Sequence, residues 1–446
     1  MLKMQTKIRP WLLVFPCLVH VGCDDPDELW IEDDDEVVEA RALAVVAPTT
    51  TGSHMGTAVG TKVIVAGGVL HAVYADEGRV KYTTSANGVT WSPAVNIGDS
   101  PAASPTIAAA ADGTIGVAYR KGPTNSGEIH YLFKPSAGPW SSSHKVTSDW
   151  YSGPSSYVDE PSLVALGSTM HLTWPLSYAS FPANQATPIA SAESIYPPVL
   201  LCGGSASFSR PAIAVARRSA TDASPRVRVA FFEEYHSASN SNCDPSRMGF
   251  YVAERQPQGY WTFTRRSYDI QSAWNSAGVS LSHAAIPSTG DFYIAVSWVL
   301  QGVAKTELFY QNPSSMNYLL GTTLLANKSI VDISAQIFDC VPRIRYAINE
   351  FTAGTGGYGP TSYRTGRWTG AQTAAPTWIE AAPVQVNTSG NNPEALFFRS
   401  SSVQSTRSVP VVYEQRVGNN FSIVEETTVQ PGAAQHVPCG ISPTTM

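Results

Sequence analysis

Apolar and polar positions alternate along most of the chain in short runs, and the runs come in pairs. Between Arg79 and Asp99 (RVKYTTSANGVTWSPAVNIGD), Val80, Tyr82 and Thr84 alternate with Lys81 and Thr83, the period of a half-buried strand. Asn87-Gly88 follows. Both residues take positive φ cheaply, so a tight reversal is expected there. Trp91 comes directly after the turn; its ring is expected to cover the open end of a small sheet while its N–H bonds a turn carbonyl. Val95 and Ile97 then resume the alternation.

Similar stretches recur. Glu128 to Val146 (EIHYLFKPSAGPWSSSHKV), Met248 to Tyr268 (MGFYVAERQPQGYWTFTRRSY) and Thr361 to Trp368 (TSYRTGRW) each read as a strand with aromatics, a turn containing Gly, and a Trp. Upstream of each lies a pair of apolar strands opened by Pro or Ser and divided by a Gly turn: 104–120, 160–174, 210–234 and 279–298, with looser versions at 333–350 and 393–415. With a first unit near Lys62 to Asp76, the count is seven units of four short antiparallel strands, which is the make-up of a β-propeller blade. Uneven spacing leaves six blades as the alternative. The last unit shows three clear strands, and Arg41 to Ala47 (RALAVVA) is an apolar strand with no unit of its own. If it completes the last blade, the ring closes and no sheet edge is left bare.

Composition agrees with an all-β body. At 446 residues the chain exceeds one ordinary core unless core is added unit by unit, and 34 Gly with 32 Pro against 14% charged residues favours strands and turns over helices. The net charge of −6 is concentrated at one place. Residues 24–39 (DDPDELWIEDDDEVVE) hold ten acids and no base, while the rest of the chain is close to neutral. A near-neutral body lacks the basic field that a nucleic-acid partner requires.

Lys3, Lys7 and Arg9 precede an apolar run from Trp11 to Gly22, too short for a stable membrane span and suited to a secretory signal. The run ends in Val21-Gly22-Cys23, which resembles the bacterial lipoprotein box, and that resemblance implies lipidation of Cys23 in the cell envelope. A plain secretory signal is the alternative. The expected organisation is therefore a signal at 1–22, an acidic tether at 23–40, a propeller at 41–432 and a tail at 433–446. Cys202, Cys243, Cys340 and Cys439 remain as disulfide candidates; of three possible pairings, the sequence neighbours Cys202–Cys243 and Cys340–Cys439 are favoured. Their spacing does not suit a metal site, the histidines form no close pair, and neither metal nor cofactor is implied.

The stretch Thr84 to Trp91 resembles the Asp-box (S-x-D-x-G-x-T-W) of sialidases and sialidase-like propellers. Thr84 stands for the leading Ser, Gly88, Thr90 and Trp91 match, and Ala86 falls where the Asp belongs unless Asn87 is aligned to it by a one-residue deletion. The resemblance implies a structural turn between the third and fourth strands of a blade, away from the active face. A working sialidase of this family would also carry three arginines, a tyrosine nucleophile with a glutamate, an aspartate, and an early R-I-P motif. That motif is missing: no arginine precedes Arg79 in the first unit, and Pro342-Arg343-Ile344-Arg345 is late and differently ordered.

Ligand sites of propellers form where strand ends and loops converge on the axis. Residues at such places are Arg120, Asp159, Glu160, Arg210, Glu350, Tyr413 and Glu414 for binding, with Glu233, Glu234 and Tyr235 as candidate catalytic groups, because a tyrosine beside carboxylates can be activated as a nucleophile. The plain alternative is that these charges solvate strand ends. Trp150, Tyr151, Trp174 and Trp298 are candidates for stacking on sugars, or else for inter-blade core. The reading that follows is an exported monomer, touching the membrane through its lipid only, that binds a glycan or a cell-surface protein. A glycoside hydrolase of the same fold is the alternative.

Overall fold

The computed structural model describes residues 44–49, 60–87, 90–123, 127–146, 161–187, 192–195, 206–218, 224–235, 249–267, 280–286, 291–300, 303–311, 318–324, 328–338, 341–352, 357–369, 377–380, 384–385, 395–397, 408–417 and 420–429. The signal, the tether with Cys23, the tail and the four disulfide candidates lie outside these residues.

Among the described residues the strands form seven antiparallel sheets, each built from consecutive strands. The first sheet holds Val63–Ala66, Val69–Asp76, Arg79–Ser85 and Val95–Asn96; the second holds Ala102–Ala109, Ile115–Lys121, Glu128–Lys134 and His144–Lys145. The third comprises Ser162–Leu166, Thr169–Trp174, Ser177–Pro182 and Glu193–Ser194, and the fourth Ala206–Arg217, Pro225–Tyr235, Gly249–Arg255 and Trp261–Ser267. Ser280–Ile286, Asp291–Leu300, Val303–Gln311 and Tyr318–Leu324 make the fifth. The sixth is Lys328–Phe338, Val341–Thr352, Gly357–Thr369 and Thr377–Glu380, with Val384–Gln385 also pairing to its third strand. The seventh runs Ala395–Phe397, Ser408–Val417, Asn420–Val429, and its fourth strand is the N-terminal Ala44–Thr49. The first strand of each sheet lies against the first strand of the next, from the second sheet through to the seventh, and the first sheet packs on the second. This is a propeller-like, all-β architecture.

Strands of this kind are buried on both faces, so alternate residues serve different neighbours. In the second sheet, Ile115, Val117 and Tyr119 join Val63, Val73, Val80 and Tyr82 of the first sheet in one core cluster. Ala118, Tyr131 and Phe133 join Leu163, Met170, Leu172 and Phe181 of the third in another. The small side of this arrangement is obligatory: a Cβ on Gly116 would lie 2.6 Å from Tyr131 Oη and 2.8 Å from Met170 Cε. Burial on both faces corrects the half-buried reading of Arg79–Ser85, in which Thr83 is fully buried.

The tight reversals fall at glycines. Gly67 and Gly68 (φ 58° and 76°) join Ala66 to Val69, and Glu77-Gly78 (φ 52° and 68°) joins Asp76 to Arg79, the two-residue turns that match strand twist. Asn87 was expected to reverse the chain at positive φ, but the described non-glycine residues in that region are Glu77, Ser104 and Leu176. The chain nevertheless reverses within this stretch, since Ser85 bridges Trp91 antiparallel and the Ser92 N–H donates to the Thr84 carbonyl (2.8 Å). Asn87 Oδ1 instead accepts the Thr90 N–H (2.8 Å) and the Ser85 hydroxyl (3.2 Å), tying the loop from within. Thr361 to Trp368 also departs from expectation. It is a single strand, in which Gly366 pairs with Ile344 on one side and Glu380 on the other.

Candidate functional site

In every sheet the C-terminal end of the second strand, the N-terminal end of the first and the N-terminal end of the third lie together, because successive strands are antiparallel. The turns bearing Trp91 and Trp140, and Trp261 at the start of its strand, lie at the opposite end, between third and fourth strands. That placement agrees with a structural role for them. Trp140 of the second sheet stands edge-on to Tyr82 of the first (centroids 4.9 Å, 79°), and Trp261 of the fourth stands edge-on to Tyr178 of the third (5.4 Å, 77°). Behind each tyrosine is a histidine: His71 Nδ1 meets Tyr82 Oη at 2.6 Å, and His171 Nδ1 meets Tyr178 Oη at 2.8 Å. Each tryptophan thus seals the preceding sheet. The expected indole hydrogen bond is not made: Trp91 Nε1 is buried without a hydrogen-bond partner, and so is Trp261 Nε1. Trp174, a candidate for stacking on sugar, is core between the second and third sheets.

The end opposite these tryptophans carries the candidate site. Arg120 is half-buried at the end of Ile115–Lys121, opposite Ala103 and Ile129. Gly127 packs against it, since a Cβ there would stand 3.0 Å from Arg120 Cγ and 2.6 Å from the Pro123 carbonyl. Next along, Lys121 Nζ binds Asp99 Oδ2 at 2.9 Å, and that hydrogen bond raises the lysine above its ordinary value. Glu233, Glu234 and Tyr235 close the strand Pro225–Tyr235, in register with Phe208, Ser207 and Ala206. Arg210 lies in the register shift between Ser209 and Ala212 of the partnering strand, so within the fourth sheet the fold brings Arg210 and the Glu-Glu-Tyr run to one end. Glu350 pairs with Lys328 in the sixth sheet; Tyr413 pairs with Ala395, and Glu414 with Ile423, in the seventh. Asp159 and Glu160 lie outside the described residues.

Near the same end, three sheets meet at a point. A Cβ on Gly60 would be 2.8 Å from Thr106 Cβ and 2.9 Å from the Pro161 carbonyl, so the first strands of the first, second and third sheets approach as closely as glycine permits. Lys62 is buried there and donates to the Pro105 carbonyl. Thr106 is fully buried, and its hydroxyl has no hydrogen-bond partner. Lys62 and Thr106 escaped sequence reasoning because one directly precedes the apolar strand Val63–Ala66 and the other sits among the small and apolar residues of Ala102–Ala109. Thr106 does carry a signal, since it follows the Pro of S-P-T as Ser162 follows the Pro of E-P-S, whereas Lys62 has no such mark.

With this geometry in hand, the chain can be compared with known proteins. It superposes on an ulvan lyase of polysaccharide lyase family PL25 with a TM-score of 0.57 at 12% identity, over 86% of this chain and 95% of that one. The same lyase bound to -[GlcA(1-4)Rha3S]- gives 0.56 at 12% identity, again over 86% and 95%. Trypanosoma rangeli sialidase in complex with sialic acid is matched at 0.44 and 10% identity, over 87% of this chain and 59% of that one. No protein-family model and no curated protein matches the sequence. At such identity the likeness to the lyase speaks to fold alone: the chain has the overall fold of that enzyme.

A separate cluster lies on the outer strands of the second sheet. Tyr119, fully buried, bonds Ser143 Oγ at 2.8 Å and accepts the Asp99 N–H at 2.9 Å. His130 reaches Ser143 Oγ through Nδ1 (2.9 Å) and Glu128 Oε2 through Nε2 (3.0 Å). Glu128 Oε1 takes the Lys145 ammonium at 2.8 Å, and the Lys145 and His130 hydrogen bonds hold the Glu128 carboxyl below its usual range. Sequence reading passed over these residues, since Ser143 precedes a two-residue strand whose register no periodicity announces.

Proposed function

We propose that the protein is a cell-envelope propeller of seven blades and sialidase-like type, closed by its N-terminal strand and lipid-anchored at Cys23, that binds a carbohydrate at the convergent end of its sheets. The seven consecutive sheets, the contact of each first strand with the next, and the pairing of Ala44–Thr49 with Asn420–Val429 support the ring. One observation carries the functional reading: Arg120, Glu233–Tyr235 and Glu350 close the second strands of their sheets, and Arg210 lies in the N-terminal half of the strand paired to Glu233–Tyr235, at the end remote from the structural tryptophans, while Tyr413–Glu414 lie mid-strand. Guanidinium and carboxylate groups contributed by several blades suit the hydroxyls and acid groups of a glycan. The fold likeness to a lyase solved with a glucuronate-containing saccharide supports trying an acidic polysaccharide first. The test is titration calorimetry with glucuronate-containing polysaccharides against the full chain, Arg120→Ala and Glu234→Gln. Saturable binding weakened in both variants is expected. Absence of binding to any polysaccharide rejects the reading and leaves a protein ligand or an envelope scaffold.

The second reading is a glycoside hydrolase, favoured by the run Glu233-Glu234-Tyr235 at one strand end, in which Glu233 and Tyr235 hold alternate positions and so the same face of the sheet. Turnover of fluorogenic glycosides that disappears in Tyr235→Phe would establish it.

A further inference from the structure

The proton pattern of the Ser143 cluster follows from its acidic end. Glu128, held below its usual pKa by its hydrogen bonds to Lys145 and His130, is ionised and only accepts, so His130 Nε2 donates to it, while Nδ1 faces Ser143 Oγ with Asp99 Oδ2 4.0 Å away. In the tautomer that carries its single ring proton on Nε2, Nδ1 accepts the Ser143 hydroxyl proton and the Tyr119 hydroxyl, which accepts the Asp99 N–H, donates in turn to Ser143 Oγ. The chain runs in one direction, from a fully buried phenol to a half-exposed carboxylate, with the imidazole itself buried. A hydroxyl within hydrogen-bond reach of one imidazole nitrogen, whose other nitrogen is held by an acid, is the arrangement of a nucleophile with its base.

We propose that Ser143 is the nucleophile of an acyl-transfer site for short-chain carboxylic esters, with His130 as its general base and Glu128 as the positioning residue. Ser143 Oγ attacks the ester carbonyl carbon as its proton passes to His130 Nδ1. The C–O bond to the alcohol then breaks, and the alcohol leaves with that proton. Water, deprotonated by the same nitrogen, attacks the acyl-serine, releases the carboxylic acid and restores the hydroxyl. Lys121 and Lys145 belong to the same network, each paired with one of its carboxylates, Asp99 and Glu128. Nothing here depends on the carbohydrate reading, which concerns other residues.

The test uses the full chain with a fluorophosphonate probe and with p-nitrophenyl acetate at neutral pH. In the parent protein a single adduct is expected on the peptide carrying Ser143, together with p-nitrophenol release. Ser143→Ala should reduce both to background. Glu128→Gln, a change at a half-exposed side chain, should keep the melting temperature and slow labelling at least about tenfold, towards the hundredfold or more that a well-placed base contributes. Adducts on other residues, p-nitrophenol release equal in Ser143→Ala, or labelling of Glu128→Gln at the parent rate would overturn the proposal. His130 is not substituted, because its burial would confound loss of chemistry with loss of fold.

Discussion

His171 shows how a single residue can be both a filler and a liability. Its ring lies against Tyr178 (centroids 6.1 Å, 23°) and is fully buried, and burial, aided by the Arg255 charge, lowers its pKa to about 4. Between pH 6.5 and 4 the unfolded chain protonates this imidazole while the folded chain does not. Unfolding therefore takes up a proton, and stability falls as the pH is lowered through that window, levelling off below it. The difference corresponds to about 3 kcal/mol at the acid end. In His171→Asn, which keeps a polar group facing Tyr178, the urea midpoint should drop at pH 7 and then lose less than the parent on going to pH 4. Parallel curves for the two proteins would show that His171 is not the group titrating.

At the scale of strands and turns, the tryptophans work between sheets rather than within them. Trp140 is half-buried over Tyr82, whose hydroxyl burial pushes up to about 12 and His71 satisfies. Trp140→Ala removes one of the second sheet's contacts with the first, beside the Ile115, Val117 and Tyr119 packing, without touching either ladder. It should cost about 2–3 kcal/mol, below the full penalty of a wholly buried Trp because part of the ring is already wet. Chemical denaturation would measure it, and a loss under about 0.5 kcal/mol, the level of an ordinary surface change, would deny the sealing role. The strand pairs themselves could be read from sequence, because apolar runs divided by Gly turns state their own length and reversal. Their partners could not. Which tyrosine Trp140 meets depends on how separate sheets stack, and that Ser143 meets His130 depends on the register of a two-residue strand; no local pattern encodes either. Gly366 misled for a related reason: in isolation it reads as a turn, yet with strands on both sides its backbone groups are needed in the ladder.

For the molecule as a whole, the stabilising step is the pairing of the two ends of the described chain. Ala44–Thr49 lies along Asn420–Val429 from Ala44 opposite Glu425 to Thr49 opposite Phe421, with one irregularity between Val45 and Ala47. Without this strand the seventh sheet would end at Asn420–Val429, exposing a row of unpaired N–H and C=O groups along a ten-residue edge. Two truncations separate this role from any contribution of the preceding segment. A chain beginning at Leu43 retains the strand and should melt within a few degrees of the parent, about the shift that 1 kcal/mol produces in a large domain. A chain beginning at Thr50 loses the strand, and should melt well below it and aggregate on heating through edge-to-edge pairing. Adding a synthetic peptide of residues 41–49 in excess should restore part of the lost melting temperature by mass action, because it binds the folded edge alone. Equal melting of the two truncated chains, or no response to the peptide, would mean that the seventh sheet holds its edge without the N-terminal strand.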